Sequence, residues 1–477
     1  MPSLRRNIVY QFLYELLIVF IPLFTIPYVS RVLGAENIGL FSYTYAVANY
    51  FVLFANLGIK NYGSRTIAMV RNNKEELNRN FSEILSIHII FSIIVIFVYL
   101  VLLFFFVEDN LVIFLIQSIY VFAAVFDINW FFFGIEKFKL TVGRNTLVKM
   151  SVFLVLVFVK TQTDLWIYAL ILALSVFVGQ SVVWFALKQY VSWRRPSWAN
   201  MKQHIRPLFV LFLPILALSL YKYMDKIMLG SISSNVQVGF YENAEKIINV
   251  PMSLIMAFGV VLMPRIANMV TSKDKGEVFK LIDMSMEAVM LLAIAISFGL
   301  AGISFVLAPI FFGYEFEECG ILIMGLAVTV PFMAFANVIR TQYLIPYKED
   351  KIFVVSLFLG AAVNLIVNII LIPYMAARGA VIGTIFAEII VCIYQSYFVR
   401  KKIFIKKYLL NTIPPILIGI VMFVFVFQIG NVMNINIVTL ILQLLVGMFI
   451  YAVGVFLLML KSRTRLMVLL RKFVVRY

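Results

Sequence analysis

Apolar runs divide this chain from end to end. Fourteen of them, at roughly 8–33, 38–59, 82–107, 111–133, 142–160, 165–187, 207–230, 238–263, 283–308, 319–343, 352–372, 379–399, 409–428 and 437–460, approach or exceed the ~20 residues that cross a bilayer as a helix. In hydrocarbon each segment must pair its own backbone N–H and C=O groups, so isolated runs of this length are helices. The fifth is the weakest. It opens with Arg144 and Lys149, and only Ser151–Val159 is free of charge. Charged residues make up 13% of the chain and hydrophobic ones 63%, with mean hydropathy +1.01. Soluble domains carry about 25% charge. The chain is therefore an all-α polytopic membrane protein with about 14 transmembrane helices.

The basic residues test that count. With the N-terminus in the cytoplasm, 33 of the 40 Lys and Arg fall in inner loops and span edges, two (Lys160 and Arg378) in outer loops, and five inside spans. Such a bias sets orientation across a membrane and places both termini in the cytoplasm. The net charge of +17 is then explained by topology and by anionic membrane lipid, without nucleic acid. An outer acidic patch, Glu315, Glu317 and Glu318, agrees with this orientation. Arg5 and Arg6 precede the first run, and no small-residue cleavage site follows, so a retained first helix is expected. Cys319 and Cys392 lie next to or inside spans and form no disulfide framework. A Gly-rich nucleotide loop and a Cys/His metal cluster are both missing from the sequence, so no cofactor is expected.

Two stretches resemble each other. Residues 22–68 and 214–267 align Pro22 with Pro214, Gly34 with Gly230, Gly39 with Gly239 and Arg65 with Arg265, the offset drifting from 192 to 200. Spans one and seven both start inside. The repeat is therefore parallel, about an axis along the membrane normal, and transporters of this plan bind substrate between their halves. Two pseudo-symmetric six-helix lobes are expected, 1–200 and 201–402, with spans thirteen and fourteen and a basic cytoplasmic tail in 403–477. Two halves in one chain suit a monomer.

Polar residues inside the spans concentrate in the repeat. Leu213–Gly230 is long enough to cross a bilayer, yet holds Lys222, Asp225 and Lys226 on one helix face. Each such charge costs about 3 kcal/mol at a bilayer centre. A self-neutralised cluster that only fixes packing is one reading, but one Asp cannot neutralise two Lys; a cationic lining of a hydrated cavity is the other. Arg31 lies in span one, Asn49 and Asn56 in span two, Asp127 and Asn129 in span four, and Glu242, Glu245 and Lys246 in span eight. Arg340 is in span ten, Asn364 and Asn368 in span eleven, and Thr384 and Glu388 in span twelve, while Lys60, Arg65 and Arg265 stand at inner helix ends. A cavity lined by Lys and Arg suits an anion, and phosphate is the usual one. His88 and His204 show no partner in the sequence and read as packing or surface residues; Trp130–Phe133 reads as an interfacial aromatic belt.

The motifs RVLGAENIGLF (31–41), DINWFFFGIEKF (127–138), YKYMDKIMLG (221–230), VGFYENAEKIINVP (238–251) and MPRIA (263–267) resemble those of the Wzx-type polysaccharide repeat-unit flippases. That family belongs to the superfamily holding lipid II flippases and multidrug-and-toxin extruders. The resemblance implies a V-shaped, alternating-access fold in the bacterial cytoplasmic membrane. It implies a substrate, an oligosaccharide on undecaprenyl pyrophosphate, moved from the inner to the outer leaflet for surface polysaccharide biosynthesis, with a polysaccharide polymerase and glycosyltransferases as partners. It matches Arg31 to a first-helix cavity arginine of lipid flippases and Arg65 and Arg265 to basic positions at the inner mouth; the pattern of charges in the spans adds Lys60, Lys222, Lys226, Lys246 and Arg340 as candidate substrate contacts. By a further likeness to the lipid II branch, Asp225, Asn364, Asn368 and Thr384 match a sodium site, with Na⁺ or H⁺ as coupling ion. Asn368 stands where that branch has a second carboxylate; the alternative is an Asn pair that hydrogen-bonds between helices.

Two other functions share parts of this pattern. An exporter of drugs or small cations wants a cavity rich in carboxylates, and here cations dominate. A polysaccharide polymerase or ligase would be an enzyme with a long outer loop, and every outer connection here is under about ten residues.

Overall fold

A computed structural model describes residues 2–271 and 275–461. The basic tail, 462–477, and Lys273 lie outside the described residues. All regular structure among these residues is helical. Contacts divide the backbone into two compact units, Met1–Gly230 and Ser231–Tyr477. The expected lobe boundary at 200/201 comes from the sequence repeat; contacts place the whole of the seventh predicted span with the first unit.

The first unit contains α1 (Pro2–Asn56), α2 (Ile59–Val70), α3 (Lys74–Phe106), α4 (Leu111–Val125), α5 (Asn129–Gly134), α6 (Phe138–Met150), α7 (Val152–Phe158), α8 (Leu165–Leu187) and most of α9 (Trp198–Ile232). The second contains α10 (Asn235–Thr271), α11 (Lys275–Phe312), α12 (Cys319–Ala327), α13 (Thr329–Ile339), α14 (Asp350–Met375), α15 (Ala377–Val399), α16 (Ile405–Val432) and α17 (Ile437–Lys461). Twelve helical stretches among the described residues are long and apolar enough to cross a membrane. The difference from fourteen has two local sources. Helix α1 is two passes joined at Gly34, whose φ of 77° and ψ of 172° break the helical path. The fifth run, weak in sequence, is split at Ser151 into α6 and α7.

Large apolar side chains cover the outside, as a lipid solvent requires. Phe104, Phe105, Phe106 and Phe185 are each at least two-thirds exposed. Inside, polar side chains join helices: Gln117 donates to Thr44 Oγ1 at 3.3 Å, Gln395 to Ser356 Oγ at 2.9 Å, and Gln443 to the Val426 carbonyl at 2.9 Å. Asn73 caps α3 by accepting from the Glu75 and Glu76 amides, whose carboxylates sit at the positive end of the helix.

The aromatic run 130–133 departs from expectation. Trp130, Phe131 and Phe132 are buried with Phe81, Ile67, Ile84 and Leu208, and only Phe133 faces outward. They are the core of the first unit and not an interfacial belt. The reason is α5, a single short helix that turns the run inward against α2. Contact there is tight enough that a Cβ on Gly63 would come within 2.5 Å of the Trp130 ring.

The Gly34 backbone lies in a region of φ/ψ space open essentially to glycine alone, where other residues pay about 1–3 kcal/mol. Gly34→Ala should therefore lower the unfolding temperature in detergent, read by intrinsic fluorescence. An unchanged transition would mean that the kink is not required.

Candidate functional site

Helix α9 carries the charged group at the centre of the sequence argument, and folding separates its members. Asp225 and Lys226 are buried, at 4% and 8% exposure, whereas Lys222 is exposed with its Nζ 5.3 Å from the Tyr223 ring centroid. Around them stand tyrosines of α1: Tyr50 packs edge-on to Tyr223 at 6.0 Å, Tyr45 lies in the field of both lysines, and Tyr50 in that of Asp225. Gly230 allows this approach, since a Cβ there would meet the Tyr43 ring. The structure thus brings Lys222, Asp225 and Lys226 together with phenol groups of a neighbouring helix. Arg31 is exposed on α1, three residues before the Gly34 kink, and Lys60 and Arg65 are exposed on α2.

In the second unit two of the assigned cations have polar partners. Lys246 pairs with Glu242 at 3.2 Å across one turn of α10 and reaches Asn243 Oδ1 at 3.5 Å. Arg340 begins a π-helical turn, donates to Asn337 Oδ1 at 2.6 Å and lies 5.4 Å from the Phe353 ring. Arg265 is exposed on α10.

Asn364, Asn368 and Thr384 are also in this unit, while Asp225 belongs to the first. Asn368 Nδ2 donates to Asn364 Oδ1 at 3.2 Å, so the two asparagines are bonded to each other along α14. Gly383 of α15 presses on it: a Cβ there would lie 2.1 Å from Asn368 Oδ1. Thr384 Oγ1 lies 2.9 Å from Tyr241 Oη and donates to the Ala380 carbonyl at 3.0 Å. Asn364, Asn368 and Thr384 offer neutral side-chain oxygens, of which Asn364 Oδ1 takes an amide hydrogen. Among the described residues no three His, Cys, Asp or Glu cluster as metal ligands.

Sequence reasoning missed a buried network in the first unit. Glu83 of α3 and His204 of α9 are 1% and 3% exposed. His204 Nε2 lies 3.0 Å from Glu83 Oε2, its Nδ1 lies 2.6 Å from Tyr62 Oη, and Asn200 Nδ2 donates to Glu83 Oε1 at 3.1 Å. His204 is therefore neither a surface residue nor unpartnered. The signal was Glu83 itself, a carboxylate between Phe81 and Ile84 in an apolar run. His88, by contrast, is fully buried with neither ring nitrogen hydrogen-bonded, a packing residue as expected.

Two cavities complete the picture. One, of about 680 Å³, lies between α2, α3 and α9 and is lined by Arg65, Arg79 and Arg206 together with Tyr62 and His204. The other, of about 850 Å³ between α11, α16 and α17, is lined by apolar side chains such as Leu292, Ile303 and Met448, with Gln443 a polar exception.

A family model described as polysaccharide biosynthesis protein matches residues 4–270. A Shigella dysenteriae protein named for O-antigen transport is 24% identical over 408 residues, covering 82% of this chain and 99% of that one. Its counterpart of the same name in Escherichia coli (strain K12) is 26% identical over 408 residues, covering 84% and 97%. Among solved structures, a lipid II flippase MurJ in an inward closed conformation superposes with a TM-score of 0.70 at 16% identity, covering 94% of this chain and 97% of that one. At that identity the likeness is one of fold.

Glu83 provides a test of the buried network. Glu83→Ala leaves the Asn200 and His204 donors without their acceptor, at about 1–3 kcal/mol for each orphaned group. The unfolding temperature in detergent should fall clearly, and less for Glu83→Gln, which keeps an acceptor for Asn200. Equal stability of all three proteins would show that the network carries no load.

Proposed function

Since this chain belongs to the polysaccharide biosynthesis protein family, we propose that it carries an oligosaccharide on undecaprenyl pyrophosphate from the inner to the outer leaflet of the bacterial cytoplasmic membrane. In coarser terms it is a multi-pass membrane flippase of lipid-linked glycans and not an enzyme, in keeping with relatives named for O-antigen transport and lipid II flipping. The observation that carries the finer reading is the Lys222–Asp225–Lys226 group. Two cations and one acid in the middle of an apolar span leave a positive excess where each charge costs about 3 kcal/mol to hold. An anionic head group offsets that cost, and the phosphates of the lipid carrier are such a group.

The order of contacts rests on the inner-side placement that the sequence gives the basic residues. Arg65, Lys60 and Arg265, exposed at ends the sequence assigns to the inner side, receive the pyrophosphate first. It then passes to Lys222, Lys226 and Arg31, with Lys246 and Arg340 contributing from the second unit. The polyprenyl tail stays in hydrocarbon, and the apolar groove between α11, α16 and α17 is of a kind to hold it. Outward movement of an anion is favoured by an inside-negative potential, at about 2.3 kcal/mol per charge per 100 mV. That drive needs no coupling ion, and no step here is routed through Asn364, Asn368 and Thr384. A polymerase and glycosyltransferases would act on either side of this step.

Lys222 is the residue to change first, because it is exposed and its loss leaves no hole in the packing. A charge-assisted contact is worth about 1.5–3 kcal/mol, so Lys222→Ala should slow translocation roughly tenfold or more, while Lys222→Arg keeps most of the rate. Leaflet accessibility of the lipid-linked glycan in cells checks this. Deletion of the protein should trap complete repeat units on the inner leaflet; single units accumulating on the outer leaflet would sink the flippase reading.

A further inference from the structure

The cavity between α2, α3 and α9 has a chemistry the transport path does not account for. Arg65 and Arg79, on the successive helices α2 and α3, and Arg206, 127 positions further on in α9, line one space of about 680 Å³. None of its lining residues is acidic, and none of the three arginines makes an ion pair or side-chain hydrogen bond among the described residues. The nearest buried carboxylate, Glu83, is already held by His204 and Asn200. Inner-side topology asks only that basic residues lie in loops; it does not ask that three arginines line one cavity with no acid in it.

Convergent guanidinium groups recognise phosphate oxygens, each with a planar fork of donors. Tyr62, Asn80 and Gln203 add polar groups to the same lining. The remaining wall is apolar and open: Met69 and Val210 are 70% and 58% exposed. A cavity that is cationic on one side and oily on the other fits an amphiphile with a phosphorylated head. The His204 bridge from Tyr62 to Glu83 fixes the wall by tying α2 to α3 and α9.

We infer that this cavity is a docking site for the pyrophosphate head of the lipid-linked substrate, with Arg79 and Arg206 as binding residues beside Arg65. The inference rests on the flippase reading and adds a station before the central lysines. A membrane phospholipid shares the phosphate chemistry, so the test must separate the two sources.

The full-length protein in phosphatidylcholine nanodiscs is titrated with inorganic pyrophosphate by calorimetry. Wild type should bind saturably, and Arg79→Gln/Arg206→Gln should bind at least tenfold more weakly. Arg400→Gln/Lys401→Gln, which removes the same charge from the second unit, should bind as wild type does. Absence of saturable binding in wild type, or equal affinity in all three, overturns the site. Competition then identifies the source. Undecaprenyl pyrophosphate in the disc should displace the probe at a small mole fraction, whereas phosphatidylglycerol should not. Displacement by phosphatidylglycerol alone overturns the substrate assignment. A leaflet assay run beside these keeps the two readings apart: normal flipping by wild type with unchanged binding in Arg79→Gln/Arg206→Gln defeats only the docking site, whereas no flipping by wild type defeats the flippase reading itself.

Discussion

A charge inside a membrane has to be held by something, and this requirement governs where the chain spends its polar residues. Nearly all of its Lys and Arg stay in loops and at span edges, where they cost little and orient the protein. The few inside spans are surrounded by groups that lower their cost. Lys246 has Glu242, Arg340 has Asn337 and the Phe353 ring, and Lys222 has the face of Tyr223. Asp225 and Lys226 are buried beside a wall of tyrosines, whose phenols are polar at the tip and apolar elsewhere. Lys246 meets an acid within its own unit. Arg65, Arg79 and Arg206, on α2, α3 and α9, line a cavity that has no acidic residue in its lining.

An amphiphilic cargo asks for both solvents at once. The first unit supplies a cationic cavity with an apolar wall, and the second an apolar groove. Glycine makes both possible by removing side-chain bulk where helices meet. In the groove, Gly447 lies against both Val426 and Met422, and beside it Gly302 lies against Val426. At α9, Gly230 lies against Tyr43, and Gly58, with a φ of 72°, lies against the α9 backbone at Leu208. Each of these contacts would be shortened or lost with a Cβ in place.

The all-helical architecture could be read from the sequence because it depends on local quantities. Run length, charge placement and the Gly34 and Gly230 positions each act within one helix or one turn, and the structure uses both glycines where the chain bends or packs closely. The weakness of the fifth run, read from Arg144 and Lys149, reappears as the break at Ser151. What could not be read depends on which distant residues meet. Nothing near His204 in sequence points to Glu83, 121 positions away, and hydropathy cannot tell an aromatic run facing lipid from one turned into a core. Counting charges likewise could not show that Arg65, Arg79 and Arg206 share a cavity, because the count sees only that all three are on the inner side.

The same distinction explains why the Asn364–Asn368 pair resists assignment from sequence. Two asparagines four apart share a helix face whether they bind an ion, bridge to another helix or bond to each other. Spacing fixes their direction and leaves their partners open. In the folded chain the first claim on Asn364 Oδ1 is the amide of Asn368, and Gly383 brings α15 onto the pair so closely that little room is left beside Asn368. The packing of α14 on α15 therefore makes the Asn pair part of the helix contact.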